Sequence, residues 1–533
     1  MGLRTGSATL ALAVAAWIAV PSALAAKTLV YCAPGSPEGF DPAPFSLDTT
    51  LDVSAALYDG LVRFKPGTAT VEPALASEWE VSDNGLEYTF RLRPDVAFHD
   101  TETFTPTRPL NADDVIFSFE RQWRPDHPYY DYGGGTWPYF SGLSMPEVLR
   151  DIRRQDDATV VFVLNRPQSA FLSNLALGFA SILSKEYADV LFELDERQRL
   201  SEAPVGTGPF RYVDHEEGIA TRLAANPDYW NGAPPLDSLV FATTPDSDVR
   251  VARLLADNCH VAAAPSSADL ESLPVDADAT VVQSPGAMVT YLAYNTTQPP
   301  FDRAEVRRAL NRAVDKQAIV EAVFGGQAIP ADTPIPPGLV PDSADLSVPG
   351  YDPDAARTAL ADAGAGNVSL RLLPLHAARP FNPDPIRTAE MIQADLEAIG
   401  VDVTVVETDL SGFVEQSIDP ENDSAVLFGW TAANGDPDGF LAAPLGCDAR
   451  GISNRAEWCS PRFEALLRRG QALPPGPDRD AVYAEALTIF VDEAPWLPIA
   501  HATVTAAVSD RVRGFVVDPM GRYRFQSVDL AEE

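Results

Sequence analysis

Near residues 284–290 the chain changes its hydrophobic rhythm, and this change constrains the fold more than any other feature. Before it, a period of two dominates. Leu86, Tyr88, Phe90 and Leu92 alternate with Glu87, Thr89, Arg91 and Arg93, which predicts a half-buried strand over 86–93, since successive strand side chains point to opposite faces. Asp83-Asn84-Gly85 ahead of it is a turn signal, residues 159–164 read as another strand, and 111–121 as a short helix. After the change, helix and strand alternate. Asp302 with Glu305 has the form of a capping box, and Val306, Leu310, Ala313, Val320 and Phe324 recur at helical spacing until Gly325-Gly326. Asp352-Pro353 opens a second helix with proline at its first position. A third carries Met391, Ile392, Leu396 and Ile399, ends at Gly400 and runs into a strand over 401–406, while 425–430 reads as a buried strand. The expected class is α/β. No long Gly/Ser linker separates the two regions, so tightly connected lobes are expected rather than beads on a string.

Length agrees with two lobes. Arg4, the apolar run Ala8–Val20, the break at Pro21-Ser22 and the small residues of Ala23-Leu24-Ala25 form an export signal, with cleavage expected near Ala25. The run is short for a membrane span, and Cys32 follows Val30-Tyr31 rather than a lipidation signal. A retained anchor is the competing reading. About 500 residues then remain, too many for one core. At 46% hydrophobic residues, the composition is that of a globular protein. The formal charge of −37 would repel nucleic acid and anionic lipid, and excludes both as partners. Lysine occurs only at 27, 65, 185 and 316. An acidic surface so poor in lysine suits a salty environment, where screening shortens the reach of self-repulsion.

Reactive constellations are scarce. There is no HExxH, no GxSxG and no GxxxxGK[ST]. Gly206-Thr207-Gly208 is followed by Pro209-Phe210-Arg211 and reads as a structural turn, and Gly133–Gly135 as a loop. His99, His127, His215, His260, His376 and His501 stand apart from one another. An even number of cysteines in an exported chain favours disulfides, and four permit three connectivities. Cys447 with Cys459 is the obvious short loop, which leaves Cys32 with Cys259. A zinc site lacks a CxxC pair or a nearby histidine to complete four ligands. Neither metal nor cofactor is expected, and the scarcity of motifs argues against an enzyme.

Several segments together identify a family. Pro73-Ala74-Leu75-Ala76-Ser77-Glu78-Trp79-Glu80, Tyr88-Thr89-Phe90-Arg91-Leu92-Arg93, Phe98-His99-Asp100 and Asn111-Ala112-Asp113-Asp114-Val115 resemble the family 5 extracellular solute-binding proteins of bacterial ABC importers. So do Gly206-Thr207-Gly208-Pro209-Phe210, Asn226-Pro227-Asp228-Tyr229-Trp230 and Tyr294-Asn295. The opening from Lys27 to Phe40, the run 389–395 and Gly429-Trp430 through Asp438 are most similar to its dipeptide-binding members, as are all four cysteine positions. The resemblance implies a periplasmic clamshell. One lobe would comprise 26–285 and 505–533, with an extra subdomain at roughly 60–205; 286–504 would form the other, and two crossing strands the hinge. It also implies a dipeptide ligand, a membrane permease as partner, possible presentation to a chemoreceptor, and a monomer.

A dipeptide is a zwitterion, so its site needs an anion for the ammonium and a cationic fork for the carboxylate. Carried over by motif, Asp436 in Asn434-Gly435-Asp436-Pro437 is expected to take the ammonium and Arg379 in Arg379-Pro380-Phe381 the carboxylate. Trp430 is expected to wall the pocket, with Gly435, Asn434 and Ser46 as polar contacts. Two segments depart from the dipeptide binders. Ala432-Ala433 stands where they have Gly-Asp, and His376-Ala377-Ala378 differs ahead of the arginine. Longer peptides, haem or a metal chelate are the alternative cargoes, and a secreted peptide hydrolase is the alternative activity.

Overall fold

In the computed structural model, which describes residues 26–339 and 346–531, one strand belongs to both halves of the molecule. The export-type segment lies outside the described residues. Trp496–Ser509 is a strand of 14 residues, buried along its whole length except at Thr503 and Val504. Its near-continuous run of apolar and β-branched residues is what a strand covered on both faces requires. Trp496–Ala500 pairs antiparallel with Met288–Ala293, while Thr503–Ser509 pairs with Ala279–Pro285. The same strand therefore joins two groups within a 12-stranded sheet. On one side follow Met288–Ala293, Ser424–Thr431, Ser369–Pro374 and Asp402–Val405; on the other Val261–Ala263, Thr28–Ala33, Ser238–Thr243, Ala220–Ala225 and Phe210–Glu216.

A second connection crosses beside the first. Ala279–Pro285 passes into Met288–Ala293 through Gly286-Ala287. The Gly286 amide donates to the Ala502 carbonyl at 2.9 Å, and a Cβ on Gly286 would stand 2.7 Å from that oxygen. Only glycine lets the two backbones run this close. The hydrophobic cores divide at the same place. One is built from residues between Leu29 and Ala263 together with Ala506–Leu530. Two others draw on Ala287–Ala502, with Phe64 and Met520 reaching across.

Each half keeps its own sheet logic. Ser369–Pro374 runs parallel to both Asp402–Val405 and Ser424–Thr431, with the helix Pro385–Ala398 in the connection, since parallel neighbours need a crossover. Glu87–Leu92 and Thr159–Leu164 pair antiparallel at the centre of a separate four-stranded sheet, and Phe90 meets Phe162 edge-on at 5.6 Å. The helix Ala112–Trp123 begins at an Asn111 cap with Asp114 completing the box. Gly206-Thr207-Gly208 leads into a strand rather than a helix. Thr207, Tyr229 and Trp230 all donate to the buried Asp59 carboxylate, at 3.0, 2.9 and 2.9 Å. Two separate sequence motifs thus converge on one structural hub. The disulfides join Cys32 to Cys259 and Cys447 to Cys459.

The helix expected from Asp302 to Phe324 is two helices, Ala304–Ala313 and Lys316–Phe324. Asp315 interrupts it, because its side chain accepts from the Ala318 amide and caps the second segment. The first starts after Arg303, with no side-chain cap from Asp302.

Candidate binding site

Beside the crossing strands lies a cleft of about 720 Å³, within the roughly 300–1,000 Å³ of small-ligand sites. Ala502–Thr505 of the long strand lines it, including the half-buried Thr503 and Val504. Tyr31 and the helix Asp48–Leu57 contribute one wall; Met288, the loop at 379–383, Thr431 and Ala433 contribute the other. Met520–Tyr523 of the C-terminal tail complete it.

The loop that carries Arg379 is fixed from below. Arg379 and Asn382 exchange backbone hydrogen bonds, each 2.9 Å, around Pro380-Phe381. Asn382 is buried and accepts from the Asp384 amide and the Thr388 hydroxyl. Thr290 donates to the Phe381 carbonyl, and the Phe381 ring meets Phe428 at 5.5 Å. That ring lies on Gly429, where a Cβ would stand 2.1 Å from it. Arg379 itself lines the cleft and forms no ion pair among the described residues; its guanidinium donates only to the neighbouring Ala378 carbonyl, at 3.1 Å. A rigid loop thereby presents an unpaired fork donor to the cleft, suited to a carboxylate.

The segment 434–436 has a different placement. Asp436 is buried, outside the cleft lining, and both its oxygens are held by Arg479, at 3.0 and 2.7 Å. It also caps the helix Pro437–Leu445 by accepting from the Asp438 amide. Asn434 donates to Asn174 at 2.7 Å, and Gly435, at φ +60°, sits against Ala69 and Met520. Gly470 and Gln471 accept from Ser169 close by. These contacts tie residues of the two halves together. Trp430 donates through its indole to the Gly439 carbonyl, and Ser46 is exposed; neither lines the cleft. The structure therefore brings Arg379 to the cleft and leaves Asp436, Asn434, Gly435, Trp430 and Ser46 away from it.

Sequence reasoning passed over three charged residues that do line the cleft: Asp48, Asp52 and Arg522. Arg522 pairs with Asp48 at 2.6 Å. Asp52 is 1% exposed, with Tyr31 and the Tyr523 amide each 3.3 Å from its oxygens. Burial pushes its carboxyl up to about 8, against the pull of Arg522. The available signal was a carboxylate inside the apolar stretch Leu51–Leu57, a polar residue on a face that packs inward. Among the described residues, no cluster of three or more His, Cys, Asp or Glu is placed to hold a metal ion.

Two α/β lobes joined by crossing strands, with a solute-sized cleft at the junction, define a clamshell binding protein. The chain belongs to the bacterial extracellular solute-binding proteins, family 5 Middle, whose pattern matches residues 70–451. It is 42% identical over 530 residues to the dipeptide-binding protein of Escherichia coli K12, covering 99% of each chain. It is 41% identical to heme-binding protein A of Haemophilus influenzae, over 95% of this chain and 92% of that one. Among solved structures, HbpA2 from Haemophilus parasuis superposes with a TM-score of 0.92 at 37% identity, over 95% of this chain and 100% of the other. The dipeptide-binding protein from Pseudoalteromonas sp. SM9913, in complex with Met-Leu, gives 0.75 at 35% identity with the same coverage.

Proposed function

We propose that this chain is the extracytoplasmic binding component of an ABC importer, and that it captures dipeptides between its lobes and hands them to a membrane permease. The observation that carries the reading is Arg379, a guanidinium with no ion pair among the described residues, on a braced loop in the cleft. It is the group a peptide carboxylate needs, and its bidentate geometry rewards a free carboxylate over an amide. The E. coli relative and the Met-Leu complex support the same cargo. The divided hydrophobic cores support lobes of 26–285 with 505–533, and of 286–504, hinging at the two crossings. In this reading the chain is exported with cleavage near Ala25, acts as a monomer without catalytic turnover, and can present its loaded form to a chemoreceptor.

The test is calorimetric titration with Ala-Phe, its C-amidated form and haem. Expected is binding of Ala-Phe that falls at least tenfold in Arg379→Ala, a smaller loss for the amide, and compaction in small-angle scattering at saturation. Equal binding of acid and amide by the unaltered protein counts against the carboxylate clamp. A Soret shift with no dipeptide heat assigns the cleft to haem. Release of free amino acids during the titration would establish a hydrolase instead.

A further inference from the structure

We infer that the ligand's ammonium is held by Asp52, with Asp48 beside it, so that the two ends of a bound dipeptide are gripped by opposite lobes. This rests on the dipeptide reading of the cleft and adds the partner that Arg379 lacks. Asp48 and Asp52 are the only carboxylates among the described residues that line the cleft. The motif-based candidate is spent elsewhere, since Asp436 has both oxygens on Arg479 and its side chain is 5% exposed. Position 433, which does line the cleft, is an alanine and offers no charge.

Asp52 has the properties such an acceptor needs. It sits in the wall of the cleft almost wholly shielded from solvent. A carboxylate has about four acceptor positions, yet among the described residues Asp52 is met only by Tyr31 and the Tyr523 amide, both at the long distance of 3.3 Å. Arg522, the cation whose charge acts on it, donates to Asp48 instead. The charged and titratable groups around it are Asp48 on its own helix, Tyr31 on the first strand, and Arg522 and Tyr523 on the C-terminal tail. An ammonium would give this under-satisfied carboxyl a close donor and a counter-charge.

One consequence separates this arrangement from any other acceptor. With its carboxyl at about 8, Asp52 carries a proton in the empty protein at pH 6.5. An α-ammonium, with an ordinary pKa of about 8, keeps its own proton there. Binding the ammonium favours the ionised carboxylate, so Asp52 loses its proton to the buffer, leaving carboxylate paired with ammonium. Affinity for a free dipeptide should accordingly rise with pH up to about 8, then fall as the ligand amine deprotonates.

The experiment titrates Ala-Phe and N-acetyl-Ala-Phe into the unaltered protein, Asp52→Asn and Asp436→Asn at pH 6.5, in buffers of different ionisation enthalpy. Expected are a proton released on Ala-Phe binding by the unaltered protein and none with the acetylated ligand. Asp52→Asn should weaken Ala-Phe about 10- to 100-fold, with no proton released and no change in its weaker binding of the acetylated form. Absence of proton release from the unaltered protein overturns the assignment even if the variant fails to fold. So does loss of binding in Asp436→Asn with binding kept in Asp52→Asn. Both of those failures leave dipeptide binding standing. Failure of the unaltered protein to bind any dipeptide overturns the dipeptide reading and this assignment with it.

Discussion

At residue scale, the proposed carboxylate clamp rests on a contact between a missing side chain and a ring. Gly429 leaves the space that Phe381 fills, and Phe381 is two residues from Arg379 in a four-residue turn. In Gly429→Ala the added methyl would meet the ring at 2.1 Å, so Phe381 must move, at a cost of about 1–3 kcal/mol for overpacking. The turn moves with it. We expect Gly429→Ala to lower the melting temperature by a few degrees and weaken Ala-Phe about tenfold, with C-amidated Ala-Phe much less affected. Equal losses for both ligands would mean that the ring does not position Arg379; restoration by Phe381→Leu in the same background would support it. The sequence shows Gly429 and Phe381 as members of one family-like stretch each, 48 positions apart, and gives no sign that they touch. Asp436 shows the converse. Asp352, Asp384 and Asp436 all precede a proline and all cap the helix it begins. What sets Asp436 apart is burial with Arg479 on both its oxygens, where Asp352 has only the partly exposed Arg312 on one, and this the tertiary fold alone delivers.

At the scale of elements, the helix Pro437–Leu445 is held to the helix Pro477–Glu493 by buried charge. Arg479 of the second takes Asp436, and Tyr483, one turn on, donates to Asp438 at 3.1 Å. Gln471 donates to Asp438 as well. Burial and the neighbouring Asp436 charge still push the Asp438 carboxyl up to about 6. Below pH 4 the folded and unfolded chains both carry this proton. Between pH 4 and 6 the unfolded chain releases it while the folded chain keeps it, so stability falls with rising pH, by up to about 1.4 kcal/mol per unit. Above pH 6 the loss is complete. Asp438→Asn is neutral throughout, so its melting temperature should gain on that of the unaltered protein from pH 4 to 6 and then hold a constant offset. A pH-independent offset would show that Asp438 ionises freely in the fold. Elements were far more legible than such junctions. The strands at 87–92, 159–164 and 424–431 and the helix from Pro353 lie where periodicity and caps put them, and the helix Pro385–Ala398 holds the apolar spacing read from Met391 onward, though that spacing does not mark its start at Pro385. The single helix read through 302–324 fails at Asp315, because apolar spacing continues across a residue whose side chain caps a new start, and whose amide donates to Asp395, 80 positions away.

For the whole molecule, the decisive quantity is the charge of −37. The structure spreads it over both lobes and spends the arginines locally: of the exposed pairs, Arg153 with Glu87, Arg154 with Asp113 and Arg371 with Asp423 are typical. Pairs this open contribute about 0–1 kcal/mol each and weaken in salt. The unpaired acids repel one another over longer distances, and this repulsion destabilises the compact state. Salt weakens both, but not equally. At about 10 mM the Debye length is near 30 Å and every acid on a lobe feels the others, whereas at 1 M it is about 3 Å and only contact pairs remain. With Asp and Glu outnumbering Lys and Arg by 76 to 39, the repulsion removed exceeds the attraction lost. The melting temperature should therefore rise by several degrees between 10 mM and 1 M NaCl, most steeply below 0.2 M, where the Debye length changes most. A matched series in sucrose, which strengthens burial by exclusion without screening charge, should lack that steep initial rise. A flat or falling curve in NaCl would mean that the local ion pairs outweigh the surplus of acids, and would remove the case for adaptation to salt.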